Sequence, residues 1–417
     1  MSLKELVNFA RSHSAYYREL YRSLPTVLPE DAELKKILPL TDSSAYWEAN
    51  TLKDNRLLTG PLNDGIVFKS GGTTGAPKFS VFTKAEWSHF CRTFGRGLVA
   101  GGLKQGERVG NLFYAGELYA SFLFILKSFE EAAAASLHFP LSGAASPETV
   151  LKTLEDFELT TLAGTPTSLV QLAETIHAKT LKLPKLKRLL FGGESLYPDQ
   201  RARLAEILPG VKVQSIGYAS VDAGLLGFWD ETCGHDEHRA FGAETLYEII
   251  DEETGEVIDE LGREGKAYVT YLDRRLMPII RYPVGDRAMW SEEAGQNKDR
   301  RFRLLGRSEE GARVGPVSVF YDDVYEAFHG AGVQLVGLQL VTKHFDQRDQ
   351  LIVRVAPARQ ESAEKLAELL LKARPMLASE IAKGNIHRPV VEIVEASGLE
   401  KNPRTGKTKR VIDLRLK

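Results

Sequence analysis

Between residues 84 and 216 the chain alternates two kinds of hydrophobic pattern. Short apolar runs, RVGNLF (108–113), LTTLAG (159–164), RLLFGG (188–193) and KVQSIGYAS (212–220), read as buried strands. Between them lie longer segments with helix start signals. Thr83 with Glu86 forms a capping-box signature ahead of WSHFCRTFGRGLV. Ser146-Pro147 starts a helix through about Phe157, and Thr165-Pro166 caps the next. The most apolar segment, YASFLFIL (119–126), is cut off by Lys127, Glu130 and Glu131 and reads as a buried helix. It is far short of the roughly 20 apolar residues that span a bilayer. Alternating units of this kind predict a parallel sheet with helices on its faces, and ligands outside the carboxyl ends of its strands.

Beyond residue 240 the pattern becomes β-rich. LYEIIDEETGEVIDE reads as two strands around a Thr-Gly turn, and GKAYVTYL and FRLLGR continue the run. Just after Arg307, SEEGARVGP packs charge, Gly and Pro together and marks a boundary. Past it come a helix (DDVYEAFHG), paired strands (GLQLVTKHF, QLIVRVAPA), a long helix over about 361–383, PVVEIVEA and a basic tail. The fold class expected is α/β. A large domain, 1–307, holds parallel and mixed sheets flanked by helices plus a β-rich part, and a small α+β domain covers 308–417.

A length of 417 residues suits such a division. The net charge of −2 gives no basic footprint for nucleic acid or an anionic membrane. Two cysteines, Cys91 and Cys233, make no disulfide framework, which favours a reducing compartment such as the cytoplasm. The opening MSLKELVNFARSHSAYYREL has no apolar core or small-residue cleavage site, so no signal peptide is expected.

Candidate chemistry begins at SGGTTGAPK, Ser70 to Lys78. A Walker A loop would place Ser or Thr directly after the lysine, and here Phe79 follows Lys78. The physics of phosphate binding survives. Gly71, Gly72 and Gly75 permit close backbone approach, successive N–H groups form an anion-binding concavity, and Ser70, Thr73, Thr74 and Lys78 add donors. A second cluster, CGHDEH, offers Cys233, His235 and His238. These are residue types that suit Zn2+, although the spacing is loose and a fourth ligand is missing. The alternative reading is a polar loop.

The phosphate-loop wording resembles the adenylate-forming superfamily of acyl-CoA synthetases, adenylation domains and luciferases, and further motifs follow in that family's order. FGGESL (191–196), with Gly193 and Glu194, looks like its adenine-contacting segment. GYASVDAG (217–224) resembles its aromatic–x–x–Thr/Ser–Glu motif; Tyr218 would pack on adenine beside Ala219 and Ser220, and Asp222 would hold Mg2+. RYPVGD (281–286) implies that Asp286 accepts the ribose hydroxyls, and Arg307 in LLGR is the second nucleotide contact. NPRTGKTKR (402–410) resembles the loop carrying the adenylation lysine, here Lys407, and Glu309 or Glu310 sits at the hinge. Over nearly the whole chain the closer resemblance is to phenylacetate-CoA ligases: SAYYREL, FPLSG and YEIIDEETGEVIDELGREGKAYVT match their wording.

The resemblance implies a small domain that moves to deliver Lys407. It also implies ATP and Mg2+, with coenzyme A as acceptor for a small carboxylic acid, which is aromatic if Phe113, Tyr114, Tyr119 and Gly217 line the acyl pocket. Related ligases are often dimers. Three departures matter. The magnesium Glu is Asp222, the preceding Thr position is Val221, and Gly315-Pro316 stands where coenzyme A ligases carry Arg-Gly. Arg313, two positions earlier, would compensate if it points the right way. Relatives in phenazine-antibiotic biosynthesis look similarly altered, and NLFYAGELYASF resembles that branch. Two further readings therefore stand beside the ligase. One is adenylation with transfer to a carrier protein, an amine or a reductase; the other is a nucleotide-binding homologue without catalysis.

Overall fold

The computed structural model describes the chain except residues 52, 71–77, 197, 253, 308–310, 358, 396–397, 401–408 and 416–417. Five short strands form a wholly parallel sheet in the order Leu137–Pro140, Arg108–Asn111, Thr161–Gly164, Arg188–Phe191, Lys212–Ser215. In chain order this is 2-1-3-4-5, so the direction of winding reverses between Arg108–Asn111 and Thr161–Gly164. A crevice outside the carboxyl ends of the strands follows from that reversal.

The helices that cross over this sheet start where local hydrogen bonds dictate. Thr83 and Glu86 close a reciprocal capping box on Lys84–Ala100. Ser146 and Thr165 cap Pro147–Asp156 and Pro166–Ala178, each with proline in the first turn. Leu162, Leu172, Leu189 and Leu204 pack into the core between these helices and the sheet.

A seven-stranded antiparallel sheet stands beside it, ordered Thr245–Ile250, Glu264–Tyr271, Ile279–Trp290, Arg301–Arg307, Glu237–Ala240, Gly224–Phe228, Tyr218–Ser220. Its core is continuous with the N-terminal helices: Tyr17 and Tyr46 are buried and both donate to the Pro278 carbonyl, at 2.8 and 3.0 Å. KVQSIGYAS is therefore two strands rather than one. Lys212–Ser215 ends the parallel sheet and Tyr218–Ser220 opens the antiparallel one. Gly217 makes the crossing at φ +124°, where a Cβ would stand 2.8 Å from the Phe94 ring.

Residues 311–415 build a smaller lobe around its own cluster of Val314, Val324, Leu340, Val353 and Leu370. Its four-stranded mixed sheet is ordered Val390–Ile393, Arg348–Pro357, Leu335–Phe345, Val411–Asp413. The hairpin Gly311–Val314/Val317–Phe320 packs on it. Two sequence expectations change here. The helix read over 361–383 is two, Ala363–Ala373 and Pro375–Ala382, because Arg374 before the proline takes φ −127°, ψ 71°. In LYEIIDEETGEVIDE only the first arm is a strand; the second contributes one bridge, Ile250 to Val257. Among the described residues no helix is long and apolar enough to cross a membrane.

Candidate active site

The carboxyl ends of the parallel strands lead straight into the expected nucleotide segments: Phe191 into Gly193 and Glu194, and Ser215 into Gly217 and Tyr218. The Tyr218 hydroxyl donates to the Asp286 carboxylate, 68 residues away. Asp286 pairs in register with Arg307 on the neighbouring strand. Three motifs read separately in the sequence thus meet across one antiparallel sheet. The Tyr218 ring lies 5.7 Å from His238 and 6.2 Å from Phe302, which fixes its inner face.

Lys78 opens the second strand of the hairpin Ile66–Ser70/Lys78–Phe82 and pairs with Ser70 across it. Gly71, Gly72, Thr73, Thr74 and Gly75 lie outside the described residues, as do Glu309, Glu310 and Lys407. Lys78 Nζ sits 5.4 Å over the Trp47 ring, and Trp47 donates to the Tyr282 hydroxyl at 2.8 Å. Two residues along, on the same face by strand alternation, buried Ser80 donates to Asp222 Oδ1 at 3.0 Å. Asp222 and Ser80 are hard oxygen donors of the kind Mg2+ accepts.

Arg274, fully buried, fixes this corner. It donates to the Val221 and Asp222 carbonyls at 3.1 and 3.2 Å and lies 4.1 Å over the Phe82 ring. Trp47, Ser80 and Arg274 escaped the motif reading because none sits inside a motif. Strand alternation from Lys78 was the signal that would have found Ser80.

The Glu194 carboxylate is tucked beside Thr167, whose hydroxyl donates to Oε2 at 2.5 Å; Oε1 is buried and has no hydrogen-bond partner among the described residues. Burial raises its pKa, and the Arg313 guanidinium opposes that rise.

The aromatic residues expected around the acid separate. Phe113 is in the core, 3.7 Å from where a Gly192 Cβ would stand. Tyr114 lies against Gly143, and Tyr119 is 49% exposed beyond a loop in which Gly116, Glu117 and Leu118 all have positive φ. Gly217 is placed by the backbone demand described above.

The zinc expectation is corrected. Among the described residues no group of three or more His, Cys, Asp or Glu side chains is arranged to hold a metal ion. Cys233 and His235 line a cavity of about 200 Å³ with Arg201 and Asp236. His238, on the next strand, turns inward to Ser215 Oγ at 2.8 Å. Burial pushes the Cys233 thiol up to about 11 and drives the His238 imidazole down to about 4.

The hairpin Gly311–Val314/Val317–Phe320 reaches this site. Ala312 and Val314 point into the small-lobe core, so Arg313 between them points out of it. Its guanidinium donates to the Gly193 carbonyl at 3.2 Å and to Ser318 Oγ at 3.1 Å.

Residues 65–270 match the AMP-binding enzyme family model. The chain is 24% identical over 365 residues to the phenylacetate-coenzyme A ligase of Thermus thermophilus, covering 84% of this chain and 80% of that enzyme. It is 26% identical over 283 residues to the phenylacetate-coenzyme A ligase of Pseudomonas putida, covering 66% of this chain and 63% of the relative, under two thirds of its length. Among solved structures, a 2-hydroxyisobutyryl-CoA ligase in complex with 2-HIB-AMP and CoA in the thioesterification state superposes with a TM-score of 0.76. That match is at 20% identity over 99% of this chain and 88% of the other. Family model, curated relatives and shared fold agree with the motifs brought together here: the chain is similar to the AMP-binding enzymes and, among curated proteins, to phenylacetate-coenzyme A ligases.

Proposed function

We propose that this chain is an AMP-forming acid–CoA ligase for a small carboxylic acid. The acid's carboxylate attacks the α-phosphorus of ATP, a P–O bond forms, and the bond to the β-phosphate breaks to release pyrophosphate. In the second half the acceptor thiol attacks the acyl carbon, the thioester forms, AMP leaves and the thiol proton passes to solvent.

The observation that carries this reading is the convergence of Lys78, Tyr218–Asp222 and Asp286 from three distant segments on one crevice. The acid arrives ionised at neutral pH and needs no base, so these residues work by positioning and charge neutralisation. Asp286 accepts the ribose hydroxyls, and Tyr218 lies along the base. Lys78 meets the terminal phosphates, and Asp222 would hold Mg2+, which would supply further charge neutralisation there. Lys407, from the smaller lobe, neutralises charge at the α-phosphate. Residues 308–310 are the hinge of this reading.

A second acceptor is favoured by one observation. Gly315 and Pro316 form the turn of the hinge hairpin, where Gly315 N–H is engaged by Asp349 Oδ2 at 2.9 Å and Pro316 has no N–H. That turn offers coenzyme A no free backbone N–H, which suits transfer to an acceptor that is not a thiol, such as an amine.

Pyrophosphate release across aryl, heteroaryl and aliphatic acids, run with and without coenzyme A, tests both. Acid-dependent release accelerated by coenzyme A is expected. Release indifferent to it moves the acceptor to the second reading, and no release with any acid defeats the proposal.

A further inference from the structure

Two positions of the N-terminal segment meet the strand that carries Lys78. Asn50, just past the helix Ser43–Glu48, is buried and donates from Nδ2 to the Phe79 carbonyl at 2.6 Å, while its Oδ1 accepts from Asn55 at 2.6 Å. Trp47, in the last turn of that helix, lies against Lys78 itself. The Asn50 bond ties the helix to the strand one residue from the lysine, so the indole and the lysine share one frame.

The indole is itself held. Its N–H donates to the Tyr282 hydroxyl at 2.8 Å, and its ring stands 5.2 Å from Tyr46 at 83° and 6.3 Å from Tyr282 at 88°. Tyr46 is fully buried, with its hydroxyl on the Pro278 carbonyl at 3.0 Å. The core therefore sets the plane of the Trp47 ring, and Lys78 Nζ sits 5.4 Å from its centre. That ammonium stands at the end of the hairpin where Ser70 and Lys78 pair, next in sequence to the phosphate-loop wording.

We infer that Trp47 is a positioning residue for ATP: its ring holds the Lys78 ammonium in place before the nucleotide arrives and gives it up to phosphate. The inference rests on the assignment of Lys78 to the terminal phosphates in the ligase reading. A carboxylate in the same place would hold the ammonium tightly and compete with phosphate for it. An aromatic face attracts a cation through its quadrupole, weakly at a half-buried site, and leaves the charge uncompensated. Triphosphate oxygens, in charge-assisted contact, take it over readily. What the ring supplies is order. A lysine head on a four-carbon stem samples many rotamers, and confining it beforehand removes part of the entropy that binding would otherwise cost.

Calorimetric titration of the full chain with MgATP, with no acid present, reads this directly. Trp47→Leu is expected to raise the Kd about fivefold, the size of one cation–π contact at such a site. Trp47→Phe loses the same bond to Tyr282 but keeps a ring face, and should stay within about twofold of wild type. In a Lys78→Ala background, Trp47→Leu should change the Kd by less than about 1.5-fold, because the partner of the ring is gone. Growth on a fluorinated tryptophan, which withdraws charge from the ring face at nearly constant shape, should weaken binding in the wild type and not in Lys78→Ala, and it keeps the test open if Trp47→Leu does not fold. A Trp47→Leu effect of equal size with and without Lys78 would overturn the inference, since Trp47 would then act through the fold or touch ATP itself. So would an unchanged Kd, or a loss in Trp47→Phe as large as in Trp47→Leu. Wild-type protein that binds no MgATP would remove the ligase reading itself, an outcome visible before any variant is made.

Discussion

His238 shows how one residue's register decides its chemistry. Its sequence neighbours, Cys233 and His235, suggest a metal cluster. Yet strand pairing of Glu237–Ala240 with its neighbours turns the imidazole into the core, where Ser215 meets Nε2 and burial holds the pKa near 4. The unfolded chain, with an ordinary histidine near 6.5, binds the extra proton between those values. Unfolding is therefore favoured as pH falls through that window, and the stabilisation is intact above it. His238→Gln, which keeps an amide near Ser215, should flatten urea-unfolding free energy between pH 6.5 and 4. Wild type should lose up to roughly 3 kcal/mol over the same range. Parallel pH profiles for the two proteins would argue against a buried neutral imidazole. Residues brought together in space were legible where a motif singled each out, as with Tyr218 and Asp286. It was illegible for Arg274 and Ser80, which matter through packing partners 52 and 142 residues away.

At the scale of elements, the sequence was clearest where a hydrogen bond lies within four residues of its partner. The Thr83–Glu86 box, the Ser146 and Thr165 caps and the prolines after them start helices as read, because those signals need no tertiary context. Thr83→Ala should cost about 1 kcal/mol in global stability, measurable by chemical denaturation, with the ATP-dependent activity unchanged. A loss below about 0.3 kcal/mol would mean that packing, not the cap, sets that helix start. Elements were misread where the deciding fact is elsewhere in space. Gly217 splits an apolar run because two sheets meet there, and VIDE after the Thr-Gly turn finds only one bridge beside Ile250. Pro375 interrupts an apolar run that is otherwise helical on both sides. The direction of Arg313 belongs to the same class. Alternation was legible, but its phase required knowing that Ala312 and Val314 face the small-lobe core.

For the whole molecule, the order of motifs along the chain foretold the architecture better than any single motif did. The parallel strands end at the Gly193 and Tyr218 segments, the antiparallel sheet brings Asp286 to Tyr218, and the hairpin Gly311–Val314/Val317–Phe320 sets Arg313 against Gly193. The sequence held the parts but not the pose, since the angle between lobes depends on a few contacts such as those of Gly193 and Asn385. The central claim is that Lys407, contributed by the smaller lobe, serves adenylation and not transfer. ATP–pyrophosphate exchange with an accepted acid, comparing wild type with Lys407→Ala, tests it most directly. The account predicts exchange in the wild type, its loss by about a hundredfold or more in the variant, and transfer from synthetic acyl-AMP left intact. Exchange that survives the substitution, or both half-reactions falling together, would contradict it.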